Sequence, residues 1–92
     1  MAQAAARHIL VATEAESLDL KQQIEGGADF AELAKAHSKC PSGAQGGALG
    51  TFGRGQMVKE FDEVVFSAPV GEVQTVETQF GHHLVEVTAR TD

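Results

Sequence analysis

The chain reads CPSGAQGGALGTFGRGQMVKEF from residue 40 to residue 61, and this stretch decides how the rest is interpreted. Residues 40–50 alone hold four of the ten glycines. A long glycine-rich loop in a small domain is usually functional or disordered. Regular patterns flank it on both sides, so we interpret it as a functional loop with a short strand near residues 49–52. Its glycine spacing fits neither a P-loop nor a GxGxxG motif.

Upstream of this loop, the pattern predicts one strand and two helices. The run HILV at residues 8–11 is rich in β-branched residues and indicates a strand. Thr13 and Glu16 have the spacing of a capping box, which predicts a helix over residues 14–25 that ends at Gly26 and Gly27. Beyond a second capping pattern, Phe30, Leu33, Ala34 and His37 are spaced as one face of an amphipathic helix that packs on a sheet.

Downstream of the loop, the pattern predicts one more helix and two strands. Met57, Phe61, Val64 and Val65 share a helical face, and the helix is expected to end near residues 67–69. Residues 73–76 suit an edge strand, residues 79–81 a turn and residues 83–87 the closing strand. The residues alone therefore predict a small α+β domain, with its first and last strands paired in the middle of the sheet.

Length and composition limit the functions that are possible. Ninety-two residues predict a single domain over residues 1–92. Seven Lys+Arg against 13 Asp+Glu give a net charge of −6, which disfavours nucleic acid and anionic membranes as partners. No apolar run of about 18 residues is present to span a membrane. One cysteine excludes an internal disulfide, and the N-terminal residues lack the pattern of a signal peptide, so we expect a cytoplasmic protein.

One thiol and two histidines remain as candidates for chemistry. Cys40 begins the glycine-rich loop, while His8 and His83 open the first and last predicted strands, whose pairing would bring the two rings together. A hydrogen-bonded pair of core histidines and a small buried cysteine are the plainer interpretations. A zinc site built on His37 and Cys40 with His82 and His83 is a weaker alternative, because the CxxC pairs typical of zinc sites are missing.

Three segments of the chain resemble the signature of the parvulin peptidyl-prolyl cis/trans isomerases. They are AxHILV from residue 6, CPSGxxGGxLGxFxxGQMVxxF from residue 40 and TQFGxH from residue 78. The resemblance runs in order along essentially the whole chain and is strongest to the small stand-alone bacterial parvulin of the PpiC type. It implies an FKBP-like βαααβαββ fold, in which a four-stranded antiparallel sheet is surrounded by helices. It also adds a short helix after Pro41 that the patterns alone do not predict.

The resemblance also implies a site. Leu49, Met57 and Phe61 would form a proline pocket with Phe80 along its wall, and Gln56 would meet the substrate. Cys40 would face the susceptible amide, above His8 and His83, with the Thr78 hydroxyl joining their hydrogen-bond network. His82 is expected to point away from this site, because side chains alternate along a strand.

The activity implied is rotation of X–Pro bonds in unfolded or nascent chains. We favour a non-covalent role for Cys40, because an ordinary thiol is mostly protonated at neutral pH. Parvulins that prefer phosphoserine or phosphothreonine use a basic cluster after the first strand. Glu14 and Glu16 occupy that loop here, so no phosphate preference is expected. We expect a monomer that needs no cofactor or metal.

Two other functions compete with this interpretation. A proline-binding chaperone module could hold unfolded chains without significant catalysis, although the chain keeps both the thiol and the pocket residues. A thiol redox sensor built on Cys40 is disfavoured, because no second cysteine is present to resolve an oxidised thiol.

Overall fold

A four-stranded antiparallel sheet forms the centre of the computed structural model, which describes residues 3–91. Along the chain the elements are β1 (Gln3–Val11), α1 (Glu14–Glu25), α2 (Phe30–His37), a 3-10 helix (Pro41–Gln45), β2 (Ala48–Gly53), α3 (Lys59–Val65), β3 (Val73–Thr78) and β4 (Gly81–Thr91). This order confirms the expected α+β fold of βαααβαββ type, with the 3-10 helix as the third helical element. Among the described residues, no helix is both long enough and apolar enough to cross a membrane.

The first and last strands lie side by side in the middle of the sheet, as predicted. The strand order is β2-β1-β4-β3, and β1 pairs with β4 from Gln3 opposite Thr91 to Val11 opposite His82. Leu10 lies opposite His83, so His8, two residues earlier on the same face, is a diagonal neighbour of His83. The pairing therefore places the two histidines together on one face of the sheet.

Each face of the sheet carries its own hydrophobic cluster. The face of His8 and His83 packs against α3, and the cluster there contains Ala4, Ala6, Phe52, Phe61, Val65, Phe66, Val85 and Val87. The opposite face packs against α1 and α2 through Ile9, Val11, Leu20, Phe30, Ala34, Val73 and Leu84. Alternation along β1 and β4 explains this division, because successive side chains point to opposite faces.

Side-chain caps fix the starts of α1 and α2 where the sequence predicts them. The Thr13 hydroxyl accepts a hydrogen bond from the Glu16 amide at 3.2 Å. The Asp29 carboxylate accepts one from the Ala31 amide at 3.0 Å. Such caps satisfy amides that have no partner within the helix. One detail of the prediction is wrong: His37 is exposed, because the buried stripe of α2 ends at Ala34.

The prediction that Met57 belongs to the third helix is also wrong. Val58 has an extended backbone (φ −59°, ψ 153°), and α3 begins only at Lys59. Two side chains stabilise a turn ahead of the helix: Gln56 accepts from the Gly53 amide, and Asp62 accepts from the Gly55 amide. Met57 consequently reaches the same cluster as Phe61 from the end of a turn.

The far end of α3 and the lengths of the strands also differ from the prediction. The helix ends at Val65, and the Arg90 guanidinium donates to the carbonyl oxygens of Val65 and Ala68. All four strands extend beyond their predicted bounds because pairing, rather than local propensity, sets their length. His8 therefore lies within β1, and His83 lies two residues after the start of β4.

The glycine-rich loop presses closely against β1 and α2. Gly47 has φ of +85°, and a Cβ atom on it would lie 2.2 Å from the carbonyl oxygen of His8. The Gly47 carbonyl also accepts a hydrogen bond from the His8 amide at 2.9 Å. Only a residue without a side chain allows this approach. The loop thereby fixes the backbone of His8 from the β2 side.

Candidate active site

An open pocket of about 480 Å³ lies on the sheet face that carries the two histidines. Eight of the nine site residues expected from the sequence line it: His8, Cys40, Leu49, Gln56, Met57, Phe61, Phe80 and His83. The ninth, Thr78, lies behind His83 and is bonded to it. The structure thus brings together residues that are spread over more than 70 positions of the chain.

Phe61 joins the hydrophobic cluster to the histidine pair. Its ring is buried and stands edge-on to both histidines, with centroid distances of 4.7 Å to His83 and 5.4 Å to His8. The imidazole rings are stacked 5.3 Å apart at an interplanar angle of 17°. The pocket therefore has an apolar side, led by Phe61, and a polar side made by the imidazoles and Cys40.

Ser38 holds the backbone that leads to Cys40. Its hydroxyl oxygen accepts hydrogen bonds from the amides of Leu10, at 3.1 Å, and Cys40, at 3.3 Å. The Lys39 amide donates to the Leu10 carbonyl at 2.8 Å. Because Leu10 lies two residues after His8 on the same strand, these bonds fix the thiol relative to the histidines. Cys40 is partly exposed to the pocket.

A continuous chain of hydrogen bonds crosses the polar side of the pocket. Thr78 Oγ1 lies 2.7 Å from His83 Nε2, and His83 Nδ1 lies 3.1 Å from His8 Nδ1. His8 Nε2 lies 3.0 Å from Ser42 Oγ, which donates to Cys40 Sγ at 3.3 Å. At the other end, the Phe80 amide donates to Thr78 Oγ1 at 3.1 Å.

The donors in this chain can be assigned from its two ends. Since Ser42 donates to the sulfur, its oxygen accepts a hydrogen bond from the N–H at His8 Nε2, which leaves His8 Nδ1 as an acceptor. His83 must then donate from Nδ1 and accept at Nε2 from the Thr78 hydroxyl. Every link is satisfied when both histidines are neutral and in opposite tautomers.

Burial favours this neutral state. It lowers the pKa of His8 below the ordinary value of 6.5. It also lowers the pKa of His83 to about 4, and the nearby His8 and His82 add to that shift. An additional proton on either ring would charge a desolvated group, and on His8 it would also place two donors face to face at Nδ1. The paired histidines are therefore uncharged at neutral pH.

The neutral pair predicts that the domain loses stability in mild acid. In the unfolded chain both histidines regain a pKa near 6.5. Between about pH 6.5 and 4 the unfolded state thus binds more protons than the native state, so the free energy of unfolding falls as pH decreases and levels off below the native pKa. Urea unfolding of the wild type and His83→Phe from pH 7 to pH 4 measures this, with exposed His37→Gln as the control. We expect a shallower slope only for His83→Phe, and equal slopes for all three proteins would contradict the argument.

Several residues of the site are not among those predicted from the sequence. Ser42 is the most important, since it connects His8 to the thiol. Ser42 could have been found by asking which side chain forms a hydrogen bond with the second ring nitrogen of His8. Ser38 was missed because its role depends on where α2 ends. The other pocket residues that had not been anticipated are Leu10, Lys39, Pro41 and Val58.

The residues proposed for a zinc site do not come together. His37 is exposed on α2, and His82 lies 3.7 Å from the carboxylate of Glu77. Over residues 3–91, the structure contains no group of three His, Cys, Asp or Glu side chains placed to hold a metal ion.

Comparison with known proteins identifies the family. The model of the PPIC-type PPIASE domain matches residues 1–91. The solution structure of NmPin, the parvulin of Nitrosopumilus maritimus, superposes with a TM-score of 0.87 at 33% identity, covering 97% of this chain and 98% of that one. The chain belongs to the parvulin family.

Longer relatives contain a region that matches this parvulin domain. The foldase protein PrsA of Geobacillus kaustophilus is 46% identical over 85 residues, which cover 90% of this chain and 30% of the foldase. The crystal structure of the peptidylprolyl isomerase PrsA from Bacillus anthracis gives a TM-score of 0.95 at 34% identity, covering 99% of this chain and 43% of that one. The chain therefore spans less than half the length of these relatives.

Proposed function

We propose that this parvulin domain is a peptidyl-prolyl cis/trans isomerase that acts on unfolded chains. The observation that carries the proposal is an apolar pocket, led by Phe61, directly beside the hydrogen-bond chain that ends at Cys40. The apolar pocket can hold a proline ring. The amide that precedes the proline would then lie beside the hydrogen-bond chain. Membership of the family and the similarity to foldases support the same activity.

Isomerisation breaks no bond, so the site has to favour a twisted amide over a planar one. The uncatalysed barrier is roughly 18–20 kcal/mol, because rotation removes the resonance of the C–N bond. Removing water from the amide favours its twisted, less polar form, and a fixed polar group can stabilise the altered charge on the carbonyl oxygen. The pocket supplies apolar walls for the first effect and the Cys40–Ser42 end of the hydrogen-bond chain for the second.

The geometry favours a non-covalent mechanism. A nucleophilic thiol needs a base or a cation beside it to form thiolate. Here Ser42 stands between Cys40 and His8, and a neutral His8 that donates to Ser42 is neither a cation nor a free base. We therefore assign Cys40 the role of a polar neighbour of the amide.

This role predicts that Cys40→Ser keeps substantial activity, within about tenfold of the wild-type kcat/KM. A serine hydroxyl can still accept from Ser42 and present a polar group to the amide. The rate is measured by exchange NMR on an Ala-Pro tetrapeptide, and circular dichroism checks the fold. A loss above about a thousandfold with the fold intact would instead assign Cys40 a covalent role.

The proposed substrates are X–Pro bonds in unfolded or nascent proteins, without a preference for phosphate. The first turn of α1, which follows β1 closely in the chain, carries Glu14 and Glu16, and these carboxylates repel a dianion. A phosphoserine-proline peptide should therefore turn over no faster than its glutamate-proline counterpart in the same NMR assay. Faster turnover of the phosphorylated peptide would contradict this part of the proposal.

Exchange NMR on a panel of X–Pro tetrapeptides tests the activity itself, because it needs no coupling protease. Interconversion far above the uncatalysed rate, which takes tens to hundreds of seconds, supports the isomerase. If the peptides shift the resonances of Met57 and Phe61 without any acceleration, the domain is instead a proline-binding chaperone module.

A further inference from the structure

Among residues 3–91, Lys39 is the only lysine, arginine, aspartate or glutamate that lines the pocket. The other lining residues are apolar or uncharged, since the imidazoles of His8 and His83 are held neutral. Lys39 directly precedes Cys40 in the chain. An isolated positive charge at the edge of an apolar pocket is not needed for packing. It can interact with a charged side chain of a peptide that enters the pocket.

The backbone of Lys39 is fixed, while its side chain is available. The Lys39 amide is bonded to Leu10, and Ser38 accepts from the amides on either side of this link. Lys39 itself is exposed, and within residues 3–91 it has no carboxylate within 4.0 Å. The ammonium group therefore moves about a fixed anchor and keeps its capacity for an anionic partner.

Most other cations of the domain are already engaged. Arg7 pairs with Glu86, and Lys59 lies 3.9 Å from Glu63. Arg54 stacks on Phe66, and Arg90 donates to carbonyl oxygens after α3. Lys21, which is half-buried, and Lys35, which is exposed, lie outside the pocket. Within the described part of the chain, Lys39 consequently supplies the one available positive charge that a substrate meets in the pocket.

We propose that Lys39 makes the pocket select an acidic side chain next to the proline and disfavour a basic one. The inference rests on the proposed isomerase function and specifies its substrate class. Apolar walls strengthen the effect, because charges interact more strongly beside a low-dielectric surface than in open water. The net charge of −6 would favour basic peptides at long range, so the selection is a local property of Lys39.

This selection is compatible with the absence of a phosphate preference. A single ammonium group can offset only one charge of a phosphate dianion and cannot form the bidentate contacts that an arginine makes. Glu14 and Glu16 disfavour the second charge. Lys39 therefore recognises an anionic side chain, but it does not prefer a phosphate to a carboxylate.

A charge swap tests the proposal. Exchange NMR gives kcat/KM for tetrapeptides with Glu, Gln or Lys immediately before the proline, and for a second series with these residues immediately after it. Both series are run at low salt with the wild type, Lys39→Met, Lys39→Glu and the control Lys35→Met, which changes a lysine outside the pocket. We expect the wild type and Lys35→Met to favour Glu over Lys about threefold in at least one series, the size typical of an exposed ion pair. That ratio should approach one in Lys39→Met and invert in Lys39→Glu.

Two results would overturn the proposal. One is a Glu/Lys ratio that Lys39→Met leaves unchanged in both series. The other is a wild type that does not favour Glu in either series. In both cases the Gln peptides report separately on the isomerase, because their turnover does not depend on a charged side chain. A ratio that persists at about 1 M salt would also contradict an electrostatic origin, since the screening length there is roughly 3 Å.

Discussion

Replacing Phe61 with alanine is expected to lower kcat/KM for X–Pro peptides by about 10- to 100-fold, the largest effect of any single pocket substitution. The ring is buried, lines the pocket and contacts both histidines edge-on. A proline ring that loses this wall gives up much of the roughly 1.5–3 kcal/mol that burying an apolar side chain contributes. Because the twisted amide needs the proline ring held firmly, the loss falls on the transition state. Exchange NMR on an Ala-Pro tetrapeptide measures it.

The same substitution costs stability, so a second pair of variants separates the two effects. Truncating a buried phenylalanine costs about 3–5 kcal/mol, a large part of the stability of a small domain. Phe61→Leu is milder, and Phe52→Leu is its matched control, since Phe52 belongs to the same cluster and does not line the pocket. We expect both leucine variants to lose stability in urea unfolding and only Phe61→Leu to lose activity. Equal losses of activity would mean that the pocket wall is not specific to Phe61.

Replacing Gly47 with alanine is expected to reduce the free energy of unfolding by about 2–4 kcal/mol. The added Cβ would lie 2.2 Å from the His8 carbonyl oxygen, so the loop and β1 would have to move apart at the point where the Gly47 carbonyl bonds to the His8 amide. Because His8 is the middle of the hydrogen-bond chain, the displacement should also appear in the NMR resonances of both histidine rings.

Gly55→Ala is the control for Gly47→Ala. Gly55 has nearly the same positive φ, at +82°, and nothing lies within 4 Å of a Cβ at that position. It carries only the backbone strain of a left-handed residue, about 1 kcal/mol. Urea unfolding of both variants therefore isolates the contribution of the clash. If the two variants lost the same stability, the close approach of the loop to β1 would have no energetic weight.

Short sequence patterns were sufficient to predict features that depend only on neighbouring residues. Thr13 and Asp29 begin helices that their own neighbours complete, and the bounds of α1 and α2 agree with the sequence analysis. Alternation along the two terminal strands was likewise enough to place His8 and His83 on one face once those strands paired. The composition of the pocket followed from the resemblance to parvulins, which carries information that no short window of sequence contains.

Features that depend on distant parts of the chain could not be predicted in this way. The alanines at positions 4–6 have little strand propensity, and they lie in β1 because β2 and β4 pair with them on both sides. Met57 has the spacing of a helical residue, but turn bonds from Gln56 and Asp62 delay the helix. Ser42 acquires its role only when the 3-10 helix brings it beside His8.

The central position of the two terminal strands affects how the domain can fold while it is being synthesised. β1 leaves the ribosome before β4, and β4 ends 88 residues after the paired Gln3. At typical translation rates, roughly 4 to 20 seconds separate the two. During that interval the edge of β1 that later pairs with β4 has no strand beside it. The domain is therefore itself, for that time, an incomplete nascent chain of the kind on which it is proposed to act.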